Sequence, residues 1–380
     1  MNQANKLDIG PLLKSINQIC TQDLPNLRAA DKKVIFPDQI LKKFWDLGLA
    51  GTSVSAEFGG SQLPYWQMAE ITKTIANHDL GLAIVVSVHN MCAAIINRSA
   101  TQIQKELWLP KIATGEQLCA FALTEPEAGS DAKALKTNFI QDGQDFILNG
   151  QKCYISSAGF ADLYLVFAKS SADQAISCFV TPKHSAGLSF GIPESKMAAD
   201  LSPIASIFLD QVRLNQQQLL GDLGQGYQLA LAALAGGRLN IASCAVGISE
   251  SAILCSIRHL KTRKQFGHTL AEFQGLQFML ADMDIKLRSS LALTREAAQV
   301  LDNNGNPGEQ NYRAALAKCA ATDAAMAITT DAVQLLGGAG YIRDYQVERL
   351  MREAKMLQIV EGTNQIQRII IAKALINSIN

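Results

Sequence analysis

The stretch CAFALTEPEAGSD, Cys119–Asp131, is where the texture of the chain changes. Before it, apolar residues recur three and four apart, as in Ile40, Leu41, Phe44, Trp45 and Leu47, the spacing of helices buried along one face. After it come short apolar or alternating runs, FILNG, YLVFAK, AISCFV and ASIFLDQV, separated by turn pairs such as Asp142-Gly143 and Asn149-Gly150. Beyond the GDLGQG break at Gly221–Gly226, long Ala-, Leu- and Met-rich segments with helical spacing run to the C-terminus. NNGNPG (Asn303–Gly308) and GGAG (Gly337–Gly340) punctuate them. The order helix, strand, helix predicts an α+β multidomain chain with an N-terminal helical domain over 1–118, a central β domain over 119–225 and a C-terminal helical bundle over 226–380.

The 380 residues are 48% hydrophobic and 18% charged, enough to bury substantial cores. Lys+Arg and Asp+Glu each number 34, so no net charge favours nucleic acid or an anionic membrane as partner. The 8 cysteines contain no C-x-x-C pair, which fits reduced thiols and argues against a disulfide framework or a zinc site. The 5 histidines show no ligand spacing, so no metal is expected. MNQANKLDIGPLL reads as neither signal nor transit peptide, which predicts a cytoplasmic protein. The most apolar run, Leu80–Ile96, carries His89 and Asn90 and is shorter than the roughly 20 residues of a membrane span, so it is read as a buried helix.

Two patterns mislead. Gly187-Leu188-Ser189-Phe190-Gly191 matches G-x-S-x-G, yet Ile192-Pro193 follows where a nucleophile elbow must feed a helix. GDLGQG and GGAG do not sit between a strand and a helix of a βαβ unit, as a dinucleotide fingerprint requires.

Three stretches carry more chemistry than folding needs. Leu123–Asp131 places hydroxyls and a glycine in a loop after a strand, suited to a polar ring or phosphate, or else an acidic turn. NGQKCYIS, Asn149–Ser156, turns a hairpin and sets Tyr154 and Ser156 two apart on one strand face, lining a flat ligand or covering a core. RKQFG, Arg263–Gly267, joins two helices and offers a cationic fork beside an aromatic, a diphosphate and adenine site or a basic turn.

Together with QLLGGAGY, RDYQVERLMREAK and IVEGTNQIQR, in this order and at this spacing, the chain resembles the acyl-CoA dehydrogenase flavoproteins over nearly its whole length. The resemblance implies a helical domain, a central β-barrel and a C-terminal four-helix bundle, with FAD between barrel and bundle in a homotetramer built as a dimer of dimers. It implies that Phe121, Leu123 and Thr124 contact the flavin, with Ser130 near FAD and substrate, and that Tyr154 and Ser156 cover its other side. Arg263, Phe266 and Gln274 then match diphosphate and adenine contacts. Gln334, Gly337 and Gly338 match a segment reaching a neighbouring subunit's FAD, while Thr363 and Gln365 complete the cofactor site at a helix N-terminus.

By the same resemblance Glu361 is the base that removes the α proton of an acyl-CoA thioester as the β hydrogen leaves as hydride. Its own N–H, beside Gly362, stabilises the thioester oxygen. Arg238 matches the arginine at the substrate end. Some members carry their base just before that arginine, where this chain has Gly237. SVHNMCAAII, AISCFV, AGLSFG and GGRLNIASCAVG look most like isobutyryl-CoA dehydrogenases, with butyryl or 2-methylbutyryl substrates open, and an electron-transferring flavoprotein is the implied acceptor. An oxidase or flavin-dependent monooxygenase of the same fold is the alternative.

The chain departs from the family in places. Where members often have Lys-Met-Gly this chain has Lys196-Met197-Ala198, followed by Ala199-Asp200, and Ala would strain any turn that needs positive φ. Tyr154 stands for a frequent Trp, and Lys373 for an Arg near the CoA end.

Overall fold

A computed structural model describes residues 8–28, 36–303 and 306–378. The three-and-four spacing of the N-terminal third forms helices α1 (Gly10–Arg28), α2 (Asp38–Asp46), α3 (Tyr65–His78), α4 (Leu80–Ser99) and α5 (Gln102–Ala113). Asp79 caps α4 by accepting from Leu82 N at 3.1 Å, and Thr101 with Gln104 closes a capping box on α5. Helix α4 is buried along nearly its whole length, which accounts for the Leu80–Ile96 run. It and the later α6 are long and apolar enough to cross a membrane, but 83% and 72% of their apolar windows lie inside the protein.

The expected β domain is one eight-stranded, mostly antiparallel sheet. Its strands are β1 (Cys119–Ala122), β2 (Asn138–Asp142), β3 (Asp145–Ser156), β4 (Leu163–Ser170), β5 (Ile176–Pro182), β6 (Leu188–Phe190), β7 (Ile204–Asn215) and β8 (Leu219–Leu220). The order is β6-β7-β3-β2-β4-β5-β8, with β1 parallel to β4. Strand β4 is buried on both faces: Leu163, Leu165 and Phe167 pack in a cluster with α4 and α5, while Tyr164, Val166 and Ala168 enter the main core.

One expected turn is absent. Asp142-Gly143 does join β2 to β3, but Asn149-Gly150 lies inside β3, where the register with β7 shifts between Leu148 and Gly150. Thr137 crowds the site: a Cβ on Gly150 would stand 2.5 Å from its Oγ1, so a glycine inside a strand marks a bulge here rather than a hairpin. The alanine departure also has a structural outcome. Ala198, which stands where the family often has the glycine, has no positive φ; the strained conformation falls on the next residue, Ala199 at φ 59, whose carbonyl accepts from Lys196 Nζ at 2.7 Å.

The C-terminal third is α6 (Gly226–Thr262), a hairpin of β9 (Lys264–Gln265) and β10 (His268–Thr269), then α7 (Gln274–Asp302), α8 (Pro307–Leu336), α9 (Val347–Leu357) and α10 (Asn364–Asn377). Helix α6 is 37 residues, about 55 Å at ~1.5 Å per residue, and is the axis on which α3, α7 and α8 pack. Arg238, in the first half of α6, donates to Asn311 near the start of α8; because α7 doubles back between them and packs on both, α6 and α8 run side by side in the same direction.

Candidate active site

Glu361 occupies the turn between α9 and α10, with φ 55, and Gly362 follows at φ 85. Thr363 accepts from Ile366 N and caps α10, so the turn ends on an ordered helix N-terminus. The carboxylate lies against α6 at Gly237: a Cβ added there would stand 2.5 Å from Glu361 Oε2 and 3.3 Å from Met91 Sδ. Position 237, where the resemblance allows a base in some members, is therefore not merely empty; the carboxylate of Glu361 fills the space. Oε2 is buried with no hydrogen-bond partner among the described residues, and so is Nε of the buried Arg238. Burial pushes the Glu361 carboxyl above the ordinary range, while the Arg238 and Lys318 cations pull the other way. The Glu361 N–H has no protein acceptor among the described residues. Met91 also walls a cavity of about 370 Å³, together with Met68 of α3, Ala94 of α4, and Ala233 and Gly236 of α6; neither Glu361 nor Arg238 lines it.

The Leu123–Asp131 loop follows β1. Its Glu125 is buried and accepts from Lys136 N at 2.5 Å, Thr137 N at 3.0 Å and Lys152 Nζ at 2.7 Å. Lys152, fully buried, also donates to Leu123 O and Phe167 O. Cys153 N donates to Thr124 O at 3.0 Å, which brings two of the three sequence stretches together. Tyr154 is 65% exposed at φ 57, where the β3–β7 register shifts again. The simple alternation expected for Tyr154 and Ser156 is therefore replaced by a bulge. Both still lie outside the core that takes Cys153 and Ile155. The hydroxyls of Thr124 and Ser156 make no hydrogen bond among the described residues. Phe121 packs on Phe167 at 4.9 Å, Leu123 is buried, and Ser130 is exposed.

The remaining candidates fall elsewhere. Lys133 of the loop region lies over the Tyr227 ring at 4.9 Å, which places the loop at the start of α6. Arg263 caps the other end, some 54 Å further along at ~1.5 Å per residue. Phe266, at φ 52 and 91% exposed, tips the hairpin beside it, and Gln274 opens α7 in solvent. Because α8 runs parallel to α6, its exposed Gln334, Gly337 and Gly338 come to this same end. Arg263, Phe266 and Gln274 are thus grouped with the segment expected to serve a neighbouring subunit, not with Thr124 and Ser156. One cofactor cannot touch both ends within a chain.

Family models for the acyl-CoA dehydrogenase N-terminal, middle and C-terminal domains match residues 11–116, 120–212 and 224–376. The chain belongs to the acyl-CoA dehydrogenase family. It is 37% identical to a mitochondrial isobutyryl-CoA dehydrogenase of Dictyostelium discoideum, over 91% of this chain and 83% of that one. Among solved structures, butyryl-CoA dehydrogenase from Megasphaera elsdenii superposes with a TM-score of 0.93 at 33% identity, covering 99% of this chain and 100% of the other. A glutaryl-CoA dehydrogenase from Mycobacterium smegmatis in complex with FADH2 gives 0.91 at 27% identity, covering 98% and 95%.

As an acyl-CoA dehydrogenase the protein uses FAD, and its residues suit that group. The unpartnered Thr124 and Ser156 hydroxyls and the outward Tyr154 ring form one open face beside a loop pinned by a buried ion pair. Sequence reading gave no role to Lys152, Glu125 or Lys318. The signal available was a lysine set among Ala, Leu and Cys in α8, Ala314–Ala321.

Proposed function

We propose that the protein catalyses α,β-dehydrogenation of a short, branched acyl-CoA of the isobutyryl type, with Glu361 as base. The observation that carries this is the buried, unpartnered Oε2 of Glu361, near Arg238 and at the same Gly237 face as Met91, which walls the cavity. A carboxylate with one oxygen withdrawn from solvent and hydrogen bonds is a stronger base than one fully in water, and its proton affinity moves toward the operating range. The thioester enters so that its Cα–H faces Oε2; the C–H bond breaks and the proton passes to that oxygen. The Glu361 N–H donates to the thioester oxygen as charge gathers there, a contribution of a few kcal/mol for one such donor. Arg238 adds a fixed cation at the same end. Bound FAD supplies the acceptor for the β hydrogen, which leaves as hydride.

The α3, α4 and α6 walls set acyl length, and a methylene or two is worth only about 1–3 kcal/mol of discrimination. The isobutyryl-CoA dehydrogenase relative supports the branched substrate; the butyryl-CoA dehydrogenase neighbour keeps a straight chain as the second reading. Electrons then pass to an electron-transferring flavoprotein. Arg263, Phe266, Gln274, Gln334, Gly337 and Gly338 complete the FAD site of an adjacent subunit in a homotetramer; the 91% exposure of Phe266 supports this, since so bare an aromatic gains by being covered. The free cysteines suit a reducing cytoplasm.

The test is turnover with isobutyryl-, butyryl-, 2-methylbutyryl- and octanoyl-CoA, scored by dye reduction under nitrogen and by peroxide formation in air. The highest kcat/KM is expected for isobutyryl-CoA, with dye reduced and little peroxide formed. Fast peroxide formation would make the protein an oxidase, and a preference for octanoyl-CoA would remove the short-chain assignment.

A further inference from the structure

Lys318 is fully buried on α8 and does not line the cavity. Its Nζ donates to Gly362 O at 3.0 Å and to Asn364 Oδ1 at 2.8 Å. Both partners are neutral oxygens, and taking an ammonium out of water costs several kcal/mol. Burial lowers its pKa to about 8. Such a residue needs a reason, and the turn supplies one.

Glu361 is a non-glycine residue in the left-handed region, a conformation that costs about 1–2 kcal/mol. Every bond that holds it comes from the carbonyl side. Gln367 Nε2 donates to Glu361 O at 3.2 Å and Gly362 O at 2.7 Å, sharing the latter with Lys318. Asn364, which carries the other Lys318 bond, is locked in turn by Thr322 and Asp323, and its N–H donates to Gln358 O at 3.0 Å. Clamped this way, the turn leaves both the Glu361 N–H and Oε2 without a partner among the described residues.

We propose that Lys318 is a positioning residue for the reaction: by binding Gly362 O and Asn364 Oδ1 it fixes the left-handed turn that presents the base and the oxyanion donor together. The inference rests on the dehydrogenase reading. The charge of Lys318 has a second effect, because the groups facing Glu361 are Arg238 from α6, Lys318 from α8 and the Cys92 thiol from α4. Removing one of two cations makes the carboxyl harder to ionise, so the rising limb of the rate–pH profile moves to higher pH. Around Lys318 itself stand Cys319 and Asp323 of its own helix, Glu361, and Arg238 from α6.

The experiment compares Lys318→Met and Asn364→Ala with wild type in FAD content, enoyl-CoA binding, anaerobic flavin reduction by isobutyryl-CoA against pH, and amide exchange over Gln358–Gln367. Lys318→Met is expected to keep FAD and enoyl-CoA binding, to lose about 10²-fold in kcat and kcat/KM together, and to shift the rising limb upward. Asn364→Ala keeps the cation, so its rate falls while the limb stays in place. Exchange over the turn rises in both. Wild-type rates, limb and exchange in Lys318→Met would overturn the proposal, and Asn364→Ala carries the exchange test if the first variant does not fold. If wild type itself is not reduced, the dehydrogenase reading fails, and exchange still decides whether Lys318 clamps the turn.

Discussion

Gly237 and Glu361 claim the same space, so even a methyl side chain at position 237 is incompatible with the Glu361 carboxylate where it lies. Gly237→Ala is expected to retain FAD and fold while flavin reduction falls about 10²-fold, since a displacement near 1 Å at a reacting group has that effect. Near wild-type rates with bound FAD would refute the steric account. The raised pKa of Glu361 also has a stability consequence. Its folded value lies above the unfolded one, so its contribution is present below the unfolded pKa and lost as pH rises through the folded pKa. Glu361→Gln is therefore expected to melt higher than wild type at neutral pH, with the gap closing in acid. Melting curves across pH 4 to 8 read this directly. Glu361, Arg238 and Gly237 could be singled out in the sequence because each stands inside a recognisable stretch, and the structure brings the three together. Lys318 was not, because a lone lysine in a helix reads as solvated, and only the tertiary turn it binds explains its burial.

Strand β3 and the loop after β1 act as one element. The Glu125–Lys152 pair is fully withdrawn from water and serves the loop that carries Thr124. Removing one partner leaves a buried charge unpaired, about 3–5 kcal/mol in such cases, whereas removing both is often nearly neutral. Lys152→Met and Glu125→Gln should each lower stability and FAD retention sharply, and the double variant should recover much of both; denaturant unfolding and FAD release measure this. Additive losses would mean the two residues act separately. The sequence located this element but misread its shape. Asn149-Gly150 carries the strongest hairpin signal in short-range terms, and the crowding that goes with its bulge comes from Thr137, in the segment just before β2.

Across the whole molecule, the order of helical, β and helical parts was readable from periodicity alone. The placement of the candidate cofactor contacts was not. It depends on α6 continuing unbroken through Gly236-Gly237, a pair that local propensity would count against, and on α8 running parallel to it. That continuity puts Arg263 and Phe266 at the far end from Glu361. Arg263→Ala with Phe266→Ala is expected to leave the subunit folded but to weaken FAD retention on dilution and shift the assembly toward smaller species in sedimentation. Unchanged FAD binding and mass would detach these residues from the cofactor.

The most direct measurement is anaerobic mixing of the FAD-loaded protein with isobutyryl-CoA, wild type beside Glu361→Gln, following flavin absorbance in the stopped flow. The account requires bleaching in wild type and a loss of about 10²–10⁴-fold in the variant with thioester binding retained. Bleaching of Glu361→Gln at the wild-type rate would contradict it.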